Sequence, residues 1–417
     1  MNSVGKHPQQ PLKLQTKIVM ATDKNDEAYT CAQAALNQSA VVAIPTETVY
    51  GLAGSAFSEE AVLKIFKSKE RPSFDPLIVH TFYDKARGAE TFLKRLDAEG
   101  IISLSILGVE ARTVYLKLIE TFMPGPLTLV FPKGPKIVDP VTSGLATVAV
   151  RCPAQPWLEG LLRRLSFPLA APSANKFGRI SPVTAQDVFS ELEGSIDLII
   201  DGGPCQVGLE STILSHPSVL EPHTNNPQAT TRPMALLRYG GLAVEAIEAA
   251  LGTSVSRPIQ LESSASESPS LHSPGTLTDH YAPRTKLLKV SRAIDDEADY
   301  HSLRHELSRR GFAPSLQIGY LSLVPCPRVS NYFHKQIALI EDSSVVERQG
   351  SSEFTHIDTI AARNLFQSLR ALDNAKLDLL VCDDLEAQGY TARHGGLFYA
   401  IAERLNKAAH LKETVHF

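Results

Sequence analysis

The sequence predicts an α/β protein of two domains, the second of them a doubly wound parallel sheet. Three observations lead there. At 417 residues the chain is longer than one hydrophobic core ordinarily serves. Short apolar runs that end in polar or glycine residues alternate with helical patterns, as strands covered by helices do. Residues 262–274, ESSASESPSLHSP, interrupt that alternation with a Ser-rich stretch that cannot support a core. The expected division is a flexible tail at 1–22, a first domain at 23–260, a linker at 261–283 and a second domain at 284–417.

The first elements are dense with signals. Residues 26–36 read as a helix. Residues 41–44 form an apolar strand, stopped by Pro45, which cannot donate to a ladder. Thr46, Glu47, Thr48 and Tyr50 then put polar side chains at a strand end, where ligand sites collect in α/β folds. A helix follows, with Ser58 as N-cap and Glu59 and Glu60 in its first turn; it runs into Lys64, Lys67, Lys69 and Arg71 before Pro72 stops it. Its dipole alone favours basic residues there, so this cluster is either a helix terminus or an anion site. Residues 77–79 make a strand that delivers His80.

Further helices are expected at 85–96 and 110–120. Strands are expected at 127–131, 147–150, 169–172, 196–200, 213–214 and 235–237, with a helix at 185–192. Residues 216–233 are rich in Pro, Asn and Thr and read as an irregular loop. Past the Ser-rich break, strands near 287–290, 316–321, 337–340 and 377–381 alternate with helices near 298–310, 359–372 and 397–410.

Composition is that of a globular protein, with 43% apolar and 21% charged residues and a formal net charge of −4. No run approaches the roughly 20 apolar residues of a membrane span. The five cysteines are scattered and never form a Cys-x-x-Cys pair, which points to a reducing, cytoplasmic setting. Residues 1–22 carry lysines but no arginine, an argument against a mitochondrial address, though a mitochondrial pool stays open.

The sequence has no Gly-x-x-x-x-Gly-Lys-Ser/Thr loop, no Gly-x-Ser-x-Gly elbow, no His-Glu-x-x-His and no dinucleotide fingerprint. What recurs at strand ends of the first domain is basic and hydroxyl: Thr48, Arg71, His80, Thr147, Arg151, Ser173, Asn175, Ser181, Ser211 and Arg238. Such a set suits positioning and charge neutralisation rather than covalent catalysis. Cys152 and Cys205 read as packing residues, Arg163 and Arg164 as a solvated helix face, and Glu47 as a tie from the strand end to a backbone amide.

Several motifs occur in order: Pro45-Thr-Glu-Thr-Val-Tyr-Gly-Leu52, Lys69-x-Arg71-Pro72, Pro76-Leu77-x-x-His80, Pro124-Gly-Pro-Leu-Thr128, Pro172-Ser-Ala-Asn175, Ser181-Pro182, Asp201-Gly-Gly203 and Glu210-Ser-Thr212. Together they resemble the threonylcarbamoyl-AMP synthases of the YrdC-like family. Ser273-Pro-Gly275 and His280-Tyr-Ala-Pro283, followed by an α/β domain, are similar to the two-domain form. The resemblance implies a twisted mixed YrdC-like sheet with helices in a catalytic first domain, and a Rossmann-like second domain. It implies an enzyme that makes L-threonylcarbamoyl-AMP from L-threonine, bicarbonate or CO₂, and ATP with Mg²⁺. A separate complex would then transfer the group to tRNA.

The resemblance also implies roles. Thr48, His80, Arg151, Ala171 and Ser211 would contact threonine. Lys69, Arg71, Asp75, Thr147, Ser173, Ser181, Arg238 and Tyr281 would contact the nucleotide. Lys69, Arg71, Ser173 and Asn175 would form the catalytic signature, and no side chain is expected to ligate the metal. Asp75 departs from the family's usual asparagine and adds a negative charge beside the nucleotide. Tyr281 and its linker would close over the site as a lid. The alternative is a YrdC-like module that binds double-stranded RNA without catalysis. Positive and negative residues are balanced in both halves of the chain, which favours the enzyme, while weak tRNA binding stays open. A carbamoyl-transfer domain of the hydrogenase-maturation kind would bring acylphosphatase and zinc-finger modules, which have no counterpart here.

Overall fold

The structure is a computed structural model, and it describes residues 15–21, 26–220, 233–257, 280–341, 354–410 and 413–417. Two sheets organise these residues. The first has ten strands in the order β1-β8-β2-β3-β7-β4-β6-β5-β9-β10. They are β1 Lys17–Met20, β2 Val42–Ile44, β3 Gly51–Ser55, β4 Ile78–His80, β5 Leu127–Pro132, β6 Thr147–Arg151, β7 Leu169–Ala170, β8 Leu198–Asp201, β9 Thr212–Ser215 and β10 Ala235–Arg238. The sheet is mixed: β4 runs parallel to β6, whereas β7 is antiparallel to both β3 and β4.

The second sheet has β11 Leu287–Val290, β12 Ile318–Ser322, β13 Lys335–Ala338, β14 Leu379–Asp383 and β15 Thr414–Val415. Its order is β13-β12-β14-β11-β15, and every pairing is parallel. The two expected fold classes are therefore the ones observed.

Local chemistry explains the element ends. Ser58 caps the helix Glu59–Lys69 by accepting from the Ala61 N–H, and Glu70 ends it in a left-handed conformation. Thr184 and Asp187 form a reciprocal capping box on Ala185–Leu192. Pro156 sits in the first turn of Pro156–Arg164, where its missing N–H costs nothing.

One correction concerns the N-terminal region. Lys17–Met20, assigned from sequence to the tail, is an edge strand that pairs in parallel with β8 from Lys17↔Leu198 to Met20↔Asp201. Only Val19 of the four is buried, so the strand has one inward side chain and no readable alternation. Residues 1–14 lie outside the described residues, as do 258–279, which hold most of the expected linker.

The second domain is packed into the first. One continuous apolar core includes Leu52, Val79, Val150 and Leu209 of the first sheet's region. It also includes Leu365, Phe366, Leu369, Ile401 and Leu405 of the helices Phe354–Asp373 and Phe398–Ala408. Those two helices cover one face of the second sheet, and Leu303 and Leu307 of Glu297–Arg309 cover the other. Polar contacts reinforce the junction: Arg370 pairs with Asp187 at 3.3 Å and Glu191 at 2.9 Å, and Arg179 with Asp373 at 3.3 Å. Gly208 lies so close to Arg363 that an added Cβ would sit 2.5 Å from its Cα.

Candidate active site

The strand ends of the first sheet meet in one cleft. Its walls include Arg71, His80, Arg151, Ser173, Ser211 and Arg238. Register explains much of this convergence. His80 at the end of β4 lies beside Arg151 at the end of β6, and Arg151 faces Thr128 on β5. The Thr128 and Ser211 hydroxyls are 2.7 Å apart, which ties β5 to the start of β9. Gly51 lets the 171–173 segment lie against β3: a Cβ there would stand 3.3 Å from that of Ala171.

Each cleft arginine has a buried carboxylate nearby. Arg151 Nη2 is 2.7 Å from Glu47 Oε1, but the two are not aligned as a hydrogen bond. Glu47 was expected to tie down a backbone amide; its partner is this guanidinium instead. Arg71 Nη2 pairs with Asp75 Oδ2 at 2.7 Å and donates to the carbonyl of Pro76 at 3.1 Å. The negative charge of Asp75 is thus the counter-charge of Arg71, brought back to it by the turn at residues 72–75 that follows the helix. Arg238 donates to the Ser211 carbonyl at 2.9 Å and feels the charge of Glu210.

Other expected residues stand behind the wall. Lys69 is 1% exposed, and its Nζ donates to the carbonyls of Ser173 and Asn175. Burial, with Arg71 nearby, pushes its pKa well below the usual lysine range. Asn175 bridges the carbonyls of Lys176 and Arg179, at 2.8 Å each. The Thr48 hydroxyl is fully buried against that of Thr46. Ser181 donates to Glu210 Oε1 at 2.7 Å. Lys69, Asn175, Thr48, Ser181, Asp75 and Thr147 do not line the cleft, and Thr147 starts the strand that Arg151 ends. Ala171 and Tyr281 do line it.

Tyr281 is buried, with φ +65°, and stacks on Phe366 with ring centroids 5.4 Å apart. Ala282 donates its N–H to the Gly178 carbonyl, so the segment is fastened to the first domain. Cys152 and Cys205 are buried, free thiols whose pKa values burial raises, consistent with packing. Sequence reasoning missed Arg404, which reaches Glu210 from the second domain. On a helix pattern it looked like any solvated arginine.

Residues 34–223 match the Sua5_yciO_yrdC family model, described as telomere recombination. Residues 242–410 match the model described as threonylcarbamoyl-AMP synthase, C-terminal domain. The threonylcarbamoyl-AMP synthase of Bacillus subtilis (strain 168) is 34% identical over 95% of this chain and 98% of its own. The chain belongs to the threonylcarbamoyl-AMP synthase family. Its relative in Schizosaccharomyces pombe is also 34% identical, over 88% of this chain and 84% of that protein. The crystal structure of P. abyssi Sua5 complexed with L-threonine superposes with a TM-score of 0.72 at 28% identity. It covers 96% of this chain and 100% of that one. As a member of this family the chain is a nucleotidyltransferase of tRNA modification, with an ATP-dependent threonylcarbamoyl-AMP synthase activity.

Two of the buried histidines, His80 and His280, give a pH signature. Burial and the Arg151 charge push His80 down to about 3. Burial also pushes His280 down to about 3, with Arg71 and Lys69 helping and Glu210 opposing. Both are neutral when folded, while the unfolded chain takes protons below about 6.5. The unfolded state therefore binds more protons between pH 6.5 and 3. Their stabilisation is complete above that window and fades as pH falls through it, by about 2 kcal/mol per histidine at pH 5. Melting followed from pH 7.5 to 5 should show His80→Asn with a shallower decline than the wild type. Identical slopes would rule out a buried neutral His80.

Proposed function

We propose that threonine occupies the Arg151–His80 end of the cleft and ATP the Arg71–Arg238 end, with Tyr281 over the nucleotide. The observation that carries this reading is the gathering of three buried arginines, His80, Ser173 and Ser211 around one cleft. Threonine's carboxylate suits Arg151, whose planar fork makes two parallel hydrogen bonds to such a group. The Ala171 backbone would complete that end, and Thr48 would act from behind the wall through its bond to Thr46. Arg71 and Arg238 neutralise phosphate charge, Ser173 offers a hydroxyl, and Ser181 acts from behind the wall by holding Glu210. Lys69 and Asn175 shape the loop that carries Ser173. Asp75 balances Arg71, and Thr147 would act only through the far end of β6.

The reaction then needs little covalent help from the protein. Threonine's neutral amine adds to CO₂ and loses a proton, or condenses with bicarbonate and releases water, to give a carbamate. A carbamate oxygen attacks the α-phosphorus, the O–P bond forms, and the bond to the β-phosphate oxygen breaks as pyrophosphate departs. Preorganised guanidinium groups stabilise the charge that gathers on the phosphates. Among the described residues no group of three or more His, Cys, Asp or Glu could hold a metal ion. The carboxylates Glu47, Asp75 and Glu210 are engaged by arginines, so the residues fit Mg²⁺ that arrives with ATP, where it would supply neutralisation of phosphate charge. The product would pass to a separate tRNA threonylcarbamoyl-transfer complex.

The test is pyrophosphate release by the full-length chain with Mg²⁺-ATP, bicarbonate and one amino acid at a time. L-threonine and bicarbonate together should give the signal, with some leakage for serine, since one methyl discriminates by only about 1–3 kcal/mol. Equal release with threonine, serine and alanine would sink the threonine assignment.

A further inference from the structure

Arg404 is an arginine with no exposure at all, on the helix Phe398–Ala408 of the second domain. Its Nε and Nη2 donate to Glu210 Oε2 at 3.1 and 3.0 Å. The other oxygen of the same carboxylate, Oε1, accepts from Ser181. Glu210 lines the cleft, and so does Tyr281, whose ring lies 5.5 Å from the Arg404 guanidinium carbon. A third bond, from Nη1 to Glu403 at 3.1 Å, fixes the guanidinium from its own helix. One buried cation from the second domain thus holds two elements of the first domain's cleft.

A buried ion pair is poor value for stability alone, because desolvating both charges cancels much of their attraction. An interface that needed only adhesion would be served by the apolar contacts around it. The pairing does give Glu210 a fixed direction and a fixed charge. Although burial disfavours the anion, the neighbouring Arg404 and Arg238 hold its pKa down to about 2. With one oxygen held by Arg404, Glu210 accepts from Ser181 with the other, and so fixes where that hydroxyl stands.

We propose that Arg404 is a positioning residue for the nucleotide end of the cleft, acting through Glu210, Ser181 and the Tyr281 ring. The second domain therefore takes part in substrate binding without touching substrate. This deepens the ATP-site reading and rests on it. The wild-type response to ATP and threonine tests that reading, whereas the variants test Arg404 separately.

The experiment measures KM for ATP and for L-threonine, with kcat, by pyrophosphate release in full-length R404M, E210Q and R404M/E210Q. R404M should raise KM for ATP about tenfold or more, while KM for threonine moves no more than about threefold. The double variant should be no worse than the poorer single one, because both changes break the same link. Three results would overturn the proposal: an ATP KM like the wild type's, parallel losses for both substrates that follow lost folded protein, or effects that multiply in the double variant. Should R404M not fold, Glu210→Asp carries the test. It keeps the charge but is one methylene short of spanning Arg404 and Ser181, so it should raise the ATP KM selectively. An unchanged ATP KM in E210D would equally end the idea.

Discussion

Arg151→Met is expected to cut threonine-dependent pyrophosphate release by about a hundredfold or more. Two costs combine. The variant strands the Glu47 carboxylate, 7% exposed, without the guanidinium 2.7 Å away. Breaking a buried pair from one side costs about 3–5 kcal/mol. It also removes the fork that suits threonine's carboxylate. Lysine should rescue only weakly, since an ammonium cannot make two parallel bonds. Titration of threonine at saturating ATP checks this, with circular dichroism to establish the folded fraction. A folded R151M with a wild-type threonine KM would remove Arg151 from the binding site and move the carboxylate anchor elsewhere.

Lys69→Met should have the next largest effect. Methionine keeps the apolar stem, but the carbonyls of Ser173 and Asn175 lose their shared donor inside the protein. Each stranded acceptor costs about 1–3 kcal/mol. The loop through Ser173 should relax, and Ser173 is part of the cleft wall. Melting temperature and kcat/KM should fall together, the latter by about two orders of magnitude. Wild-type kcat/KM in K69M would mean that the loop needs no such tie.

Much of this arrangement was legible in sequence, for identifiable reasons. Strand ends that close in Pro45, His80 and Arg151 carry hydrophobic runs short enough to read, and the ordered motifs fixed the family. The strand Gly51–Ser55 was missed because GLAGS has two glycines and small side chains; its fully buried position, not its propensity, makes it a strand. Lys69 was expected to face the nucleotide because sequence shows charge but not depth. Here the lysine turns inward to backbone carbonyls. Arg404 was invisible for the opposite reason. Its partner Glu210 is 194 positions away, and no local pattern distinguishes a buried arginine from a solvated one on an amphipathic helix.

The strand order of the first sheet sets a timetable for the growing chain. β2 sits between β3, its immediate successor, and β8, with Val42 paired to Leu198. β1 waits on the same distant strand. During synthesis, the apolar edge of β2 therefore emerges long before the strand that covers it. Contacts across such separations are slow to form, because the intervening loop must close before any pairing rewards it. Ribosome-bound chains shorter than about 200 residues should thus display an open, sticky sheet edge, and chaperone demand should end only once β8 has emerged.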